Sequence, residues 1–248
     1  MSPEFELAVQ NVAGMRIARD LGAARVELAQ ALALGGLTPS RGTLESVLEE
    51  AEGSSTEVHV LVRPRAGDFQ YDSDEIDVVA RDVRRVLAAG ARGVVVGCQD
   101  ASGSLDTDGL ARIMAAAGGA SVTLHRVIDV TPAPLATLRT ARELGVRRVL
   151  SSGGASCAFD GRDVLRALVT EADGAIEVMA GGGIDASVVA AIAASGVDAV
   201  HFSAKRAIPS AGSVRMGSAS EGIGCHEVTD RETAEAIVAA LRHSESVA

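Results

Sequence analysis

The chain has 248 residues, a formal charge of −10 and 47% hydrophobic residues, of which few are aromatic and none is tryptophan. That charge argues against nucleic acid, whose binding needs clustered Lys and Arg to displace counterions. No apolar run approaches the about 20 residues that span a bilayer, and the start, MSPEFELAVQN, lacks the basic-then-apolar pattern of a secretory signal.

Three distant cysteines, Cys98, Cys157 and Cys225, form no CxxC pair. A disulfide framework and a zinc knuckle are therefore not expected, and reduced thiols in a cytoplasmic protein are. With so few aromatics, the core must be built from Ala, Val, Leu and Ile, the residues that buried parallel strands favour.

An opening strand over 5–9 is followed by a recurring junction. The segments 22–26, 90–94, 118–122, 145–149, 174–178 and 196–200 all read G-x-x-x-V, and 53–58 carries one extra residue. Each glycine closes an Ala- or Leu-rich helical segment, where a left-handed C′ residue is cheapest as glycine. Each valine then opens a β-prone run. The remaining strands are expected over 26–29, 58–63, 93–97, 122–126, 148–151, 176–180 and 199–203. Thr131 before Pro132, Asp185, and Thr229 with Glu232 have the form of helix start signals.

Eight strands alternating with helices predict parallel pairing. The even repeat, with no linker, favours a single closed (β/α)8 TIM-type barrel over residues 1–248. An irregular loop is expected over 208–228, before the last helix.

In such a barrel the working rim lies at the C-terminal strand ends. Strand 2 carries Glu27 between apolar residues, either as an acid held by an arginine or as half of a structural ion pair. Strand 3 ends in Arg63-Pro64-Arg65. Alternation puts both arginines on one face, where forked guanidinium groups suit a carboxylate or phosphate. One arginine would neutralise Glu27; two imply an anionic ligand.

On strand 5, His125 is the best general acid or base. Asp129 is placed to orient it, although Arg126 would pair with Asp129 just as readily. Gly181, Gly182 and Gly183 end strand 7 and suit backbone N–H contact with an anion. Strand 8 contributes His201, Ser203 and Lys205, the last two placed to complete an anion site. These residues define a metal-independent enzyme acting on a small anionic, perhaps phosphorylated, substrate by proton transfer. Isomerisation, aldol-type cleavage and hydrolysis all remain open.

Specific segments carry a family likeness. They are RVEL at 25–28, GGLTPS at 35–40, VRPR at 62–65 with GDF at 67–69, IMAAA at 113–117, and HR at 125–126 with Asp129. RVLSSG at 148–153, MAG at 179–181 and the strand holding His201 and Ser203 follow. Together, over roughly 4–206, the chain resembles the CutC copper-homeostasis family. The resemblance implies a barrel, a homodimer, and copper as ligand or cofactor. Copper(I) prefers thiolate and thioether donors. Family members often place cysteines on the first strand and after V-E-L, where this chain has Ala8-Val9-Gln10 and Leu28-Ala29-Gln30. That leaves Cys98 and Cys157 as the metal candidates.

Overall fold

The repeated junction does in three dimensions what its glycines require. Helix α1 (Val12–Leu21) ends on Gly22 in the left-handed region at φ 77°, and α4 (Thr107–Ala117) ends the same way on Gly118 at φ 59°. A side chain at either position would strain the turn back into the sheet. The computed structural model describes residues 3–209 and 225–243.

Eight strands, β1 (Glu4–Val9), β2 (Arg25–Leu28), β3 (Glu57–Leu61), β4 (Gly93–Val96), β5 (Ser121–Leu124), β6 (Arg148–Ser151), β7 (Glu177–Gly181) and β8 (Ala199–Phe202), pair in parallel in chain order. Pairing of β1 with β8 closes the barrel, with Glu6 opposite His201. Between the strands lie α1, α2 (Arg41–Ala51), α3 (Ser73–Ala88), α4, α5 (Pro134–Glu143), α6 (Arg162–Ala172) and α7 (Val189–Ala193). Helix α8 (Arg231–His243) follows β8. Among the described residues no helix is long and apolar enough to cross a membrane.

Strand ends and caps differ from expectation in places. Strands β3 and β5 stop at Leu61 and Leu124, so Arg63, Arg65, His125 and Arg126 belong to loops. Helix α5 starts at Pro134 rather than after Thr131, whose hydroxyl pairs with Thr137. Asp185 turns the chain by accepting from Ser187 N–H ahead of α7. Asp230, not Thr229, caps α8 by accepting from Thr233 N–H. Within the stretch expected to be irregular, β9 (Lys205–Pro209) and β10 (Cys225–Thr229) pair antiparallel. The rest of that stretch, 210–224, lies outside the described residues.

The apolar core has two locations. The main one lies between sheet and helices, where Val26, Val60, Val94, Val122, Val149, Val178 and Val200 meet helix residues such as Ile17, Leu110, Leu165 and Ile192. Inside the barrel the described residues form two small apolar groups, Ala29–Leu61–Val95 and Leu150–Met179–Ala199.

The rest of the interior is polar. Glu6, Arg25, His59, Thr123 and Arg148 are all buried there. Arg25 donates to Glu6 at 3.3 Å and to Glu4 at 2.7 Å, and Arg148 donates to Thr123 at 3.3 Å and pairs with Glu177. Gly93 makes room for this layer, since a Cβ there would lie 2.6 Å from the His59 ring and 2.7 Å from the Ser121 carbonyl. Gly93→Ala is expected to cost about 1–3 kcal/mol by overpacking, read as a lower urea midpoint at unchanged slope.

Candidate functional site

The C-terminal end of the barrel opens into a cavity of about 590 Å³. Loops after four of the strands, together with residues of β2, β8 and the segment that follows it, bring Glu27, Arg63, His125, Arg126, Asp129, Gly182, Gly183, His201, Ser203 and Lys205 to its wall. Residues nearly 180 positions apart in the chain thus share one mouth. Arg65, Gly181, Cys98 and Cys157 are not part of that wall.

The two arginines of R-P-R part company because β3 ends before them, and the alternation that would align them is lost. Arg65 turns outward to Glu75 at 2.5 Å and Asp68 at 3.0 Å. Arg63 stays at the mouth, yet it does not hold Glu27. Its terminal nitrogens donate to the carbonyls of Leu34, Gly36 and Gly67 at 2.9, 3.0 and 2.6 Å. It therefore braces the GGL turn after β2, and its Nε is buried without a partner.

His125 is buried against Phe69, ring centroids 4.5 Å apart. Its Nδ1 accepts from Val127 N–H at 3.1 Å, so the proton sits on Nε2. Burial, reinforced by the Arg63 charge, pushes its pKa down to about 3. Of the general acid or base role expected for it, a neutral imidazole with a buried Nε2–H offers a donor at that nitrogen. Asp129 does not orient it either. That carboxylate accepts from Arg126 Nε at 2.8 Å, Ser151 Oγ at 2.6 Å, and the backbone N–H groups of Ser152 and Gly154. It ties the β5 and β6 loops together. Arg126 also donates through Nη2 to Ser152 Oγ at 2.7 Å, which leaves Nη1 beside Gly182, where a Cβ would sit 3.3 Å away.

The triple glycine divides. Gly181 is strand, and a Cβ there would strike Leu150 at 2.6 Å; Gly182 and Gly183, with φ 107° and 63°, line the cavity. Helix α7 behind them has five residues, too short for the strong N-terminal dipole expected there. Lys205 faces the mouth but pairs with Glu227 at 2.7 Å.

Glu27 and His201 meet on the cavity wall, with Glu6 behind them. One ligand atom from each of the three lies within 4.8 Å of the others. His201 Nδ1 is 2.8 Å from Glu6 Oε1. Burial alone would raise the Glu6 carboxyl, but the His201 hydrogen bond, with the charges of His201, His59 and Arg25, brings it down to about 2. Burial of Glu27 works the other way. Opposed by the His201 charge and reinforced by Glu6, it pushes that carboxyl up to about 7. His201 itself is raised: burial disfavours its charge, but Glu27 and the hydrogen bond and charge of Glu6 prevail.

Sequence reading placed His201 at the rim without a role and passed over Glu6. The available signal was alternation. Glu4, Glu6 and Ala8 share one face of β1, and a carboxylate in an otherwise apolar strand needs a buried partner.

Copper(I) does not fit the thiols. Cys98 is fully buried, with its thiol pushed up to about 12 by burial and by Asp106. Cys157 bonds Asp160 at 3.1 Å, and Cys225 stands on β10. Among the described residues, the one group of three His, Cys, Asp or Glu side chains close enough to share an ion is Glu6, Glu27 and His201. Its donors are two oxygens and a nitrogen.

A closed parallel barrel with polar residues gathered at its C-terminal mouth places the chain among (β/α)8 proteins, whose functional residues lie at that end. The CutC family model matches residues 4–206, and the chain belongs to the CutC family. A family protein CutC of Photobacterium profundum is 35% identical over 248 residues, covering 98% of this chain and all of that one. One from Xanthomonas campestris is 41% identical over 202 residues, 81% of this chain and 83% of that one. Among solved structures, one from Streptococcus agalactiae bearing the name copper homeostasis protein CutC superposes with a TM-score of 0.77 at 27% identity. It covers 81% of this chain and 98% of that one. A thiamine phosphate pyrophosphorylase from Pyrococcus furiosus, TM-score 0.60 at 16% identity and covering 97% and 96%, shares the fold alone.

The depressed His125 pKa sets a pH dependence. Unfolding returns this imidazole to about 6.5, so its contribution is complete above that value and is lost as pH falls toward about 3. The full effect is on the order of 5 kcal/mol. His125→Asn, whose amide oxygen can still accept from Val127 N–H, is expected to flatten the stability profile between pH 6.5 and 4. Denaturant melts across that range give the slope; an unchanged slope would refute the assignment.

Proposed function

We propose that the protein takes part in copper homeostasis and that its working site is the barrel mouth, where it binds a small anionic molecule bearing a carboxylate or phosphate group. The name of the Streptococcus agalactiae relative supports the link to copper. The observation that carries the binding reading is Arg126. Its Nε and Nη2 are fixed by Asp129 and Ser152, so the guanidinium is held rigidly while Nη1 stands next to Gly182. A preorganised donor of this kind loses little entropy on gripping an oxyanion. Gly183, Ser203 and Lys205 flank it on the same wall, and the neutral His125 contributes a donor rather than a base.

Thiol-bound copper(I) is the weaker form of the copper reading, because Cys98 and Cys157 each bond their own neighbourhood and share no donor. Copper(I) titration of the reduced protein and of a Cys98→Ser, Cys157→Ser double variant is expected to give the same weak binding. Tight stoichiometric binding lost in the double variant would reverse that conclusion.

A thermal-shift screen of inorganic phosphate, sugar phosphates and small carboxylates tests the anion site. A true ligand at ~100 times its dissociation constant adds ~2.7 kcal/mol. Arg126→Ala is expected to abolish the shift. If no anion stabilises the wild type more than this variant, the reading fails.

A further inference from the structure

Among the described residues, Glu27 is the one acidic group of the mouth with neither a hydrogen-bond partner nor a permanently charged one. It is 5% exposed, and it forms no hydrogen bond or ion pair with any described residue. Every permanent cation near it is committed elsewhere: Arg25 to Glu4 and Glu6, Arg63 to three carbonyls, Arg126 to Asp129, and Lys205 to Glu227. A carboxylate withdrawn from water with no counterion is costly, and proteins accept it chiefly where a partner or a metal completes the site. Beside it stand two more ligand-type side chains, Glu6 and the titratable His201, with one ligand atom from each within 4.8 Å of the others.

We propose that Glu6, Glu27 and His201 bind a divalent cation at the inner end of the mouth, with its remaining coordination positions open to the cavity. Two carboxylates and an imidazole suit divalent first-row ions such as Mn²⁺, Fe²⁺, Zn²⁺ or Cu²⁺, and do not suit Cu⁺. Three protein ligands leave room for water or a substrate oxygen, the arrangement of a catalytic rather than a structural site.

The supporting shell is already in place. Arg25 Nε donates to Glu6 Oε2 at 3.3 Å, and Gly181 keeps the wall beside His201 clear, since a Cβ there would approach that ring to 3.3 Å. Outer contacts of this kind orient ligands and tune affinity. The site goes beyond the anion reading and does not depend on it. An anion held at Arg126 and an ion held at Glu27 would occupy the same cavity, and each can be lost without the other.

The test uses the full chain, stripped with EDTA and titrated with Mn²⁺, following the free-ion signal by electron paramagnetic resonance. The wild type is expected to take up one Mn²⁺ per chain, and the Cys98→Ser, Cys157→Ser double variant to do the same. Glu27→Gln, checked by circular dichroism for folding, is expected to bind at least about tenfold more weakly. Glu27→Asp serves in the same way should the glutamine variant not fold, because the shorter carboxylate withdraws from the other two ligands. Absence of stoichiometric uptake by the wild type would overturn the site. So would a Glu27 variant that binds within less than that factor of wild type, or uptake that follows the cysteines.

Discussion

The arrangement of this barrel depends on one ionised carboxylate on its axis. Glu6 is fully buried and remains charged because Arg25 and His201 reach it from the two strands that flank β1. Burial of a lone carboxylate would be prohibitive; burial of one held by two donors fixes strand register instead, because a slip of one residue would send Glu6 out among the valines of the main core. The pairing of Glu6 with His201 also spans the β1–β8 seam, which closes the barrel. The same contact that secures closure therefore sets the position of His201 at the mouth.

A second layer of constraint is the way loop cations are spent on loop geometry. Arg63 holds the turn after β2 through carbonyls, and Arg126 with Asp129 locks the β5 loop to the β6 loop. These residue types in a mouth suggest ligand contact, and two of them mainly make the mouth rigid. Rigidity is itself functional, since a site held by its own hydrogen-bonded shell keeps its remaining free groups in place. What is left unfixed at this mouth includes the Arg126 Nη1, the His125 Nε2–H and the Glu27 carboxyl.

The barrel was legible in the sequence because its cause is local. A glycine that ends a helix and a valine four residues later that starts a strand recur with little variation, and parallel order follows from that alternation. The gathering of Glu27, His125, Arg126 and Gly182 at one end was legible for the same reason, since strand direction alone places their loops. Their partners were not. Whether Asp129 turns to His125 or to Arg126 depends on the path of a five-residue 3-10 turn, and Arg65 left the mouth because β3 stopped two residues early. Glu6 escaped notice because rim reasoning looks at where strands end, while its importance comes from depth inside the sheet. The paired β9 and β10 arms were missed because their partners are separated by a long stretch without a periodic signal.

Helix α8 has a consequence for how such a chain diverges. It lies beyond residues 4–206, packs Ala234, Ile237, Val238 and Leu241 inward, and is anchored to α1 through Arg231–Asp20 and Arg242 with the Leu21 carbonyl. The seam of the barrel is thus sealed from outside by a segment whose obligation is to present an apolar stripe of the right width. Such a closure is a matter of volume and spacing rather than of particular side chains. Apolar replacements along α8 keep the seal so long as that stripe's volume and spacing are kept.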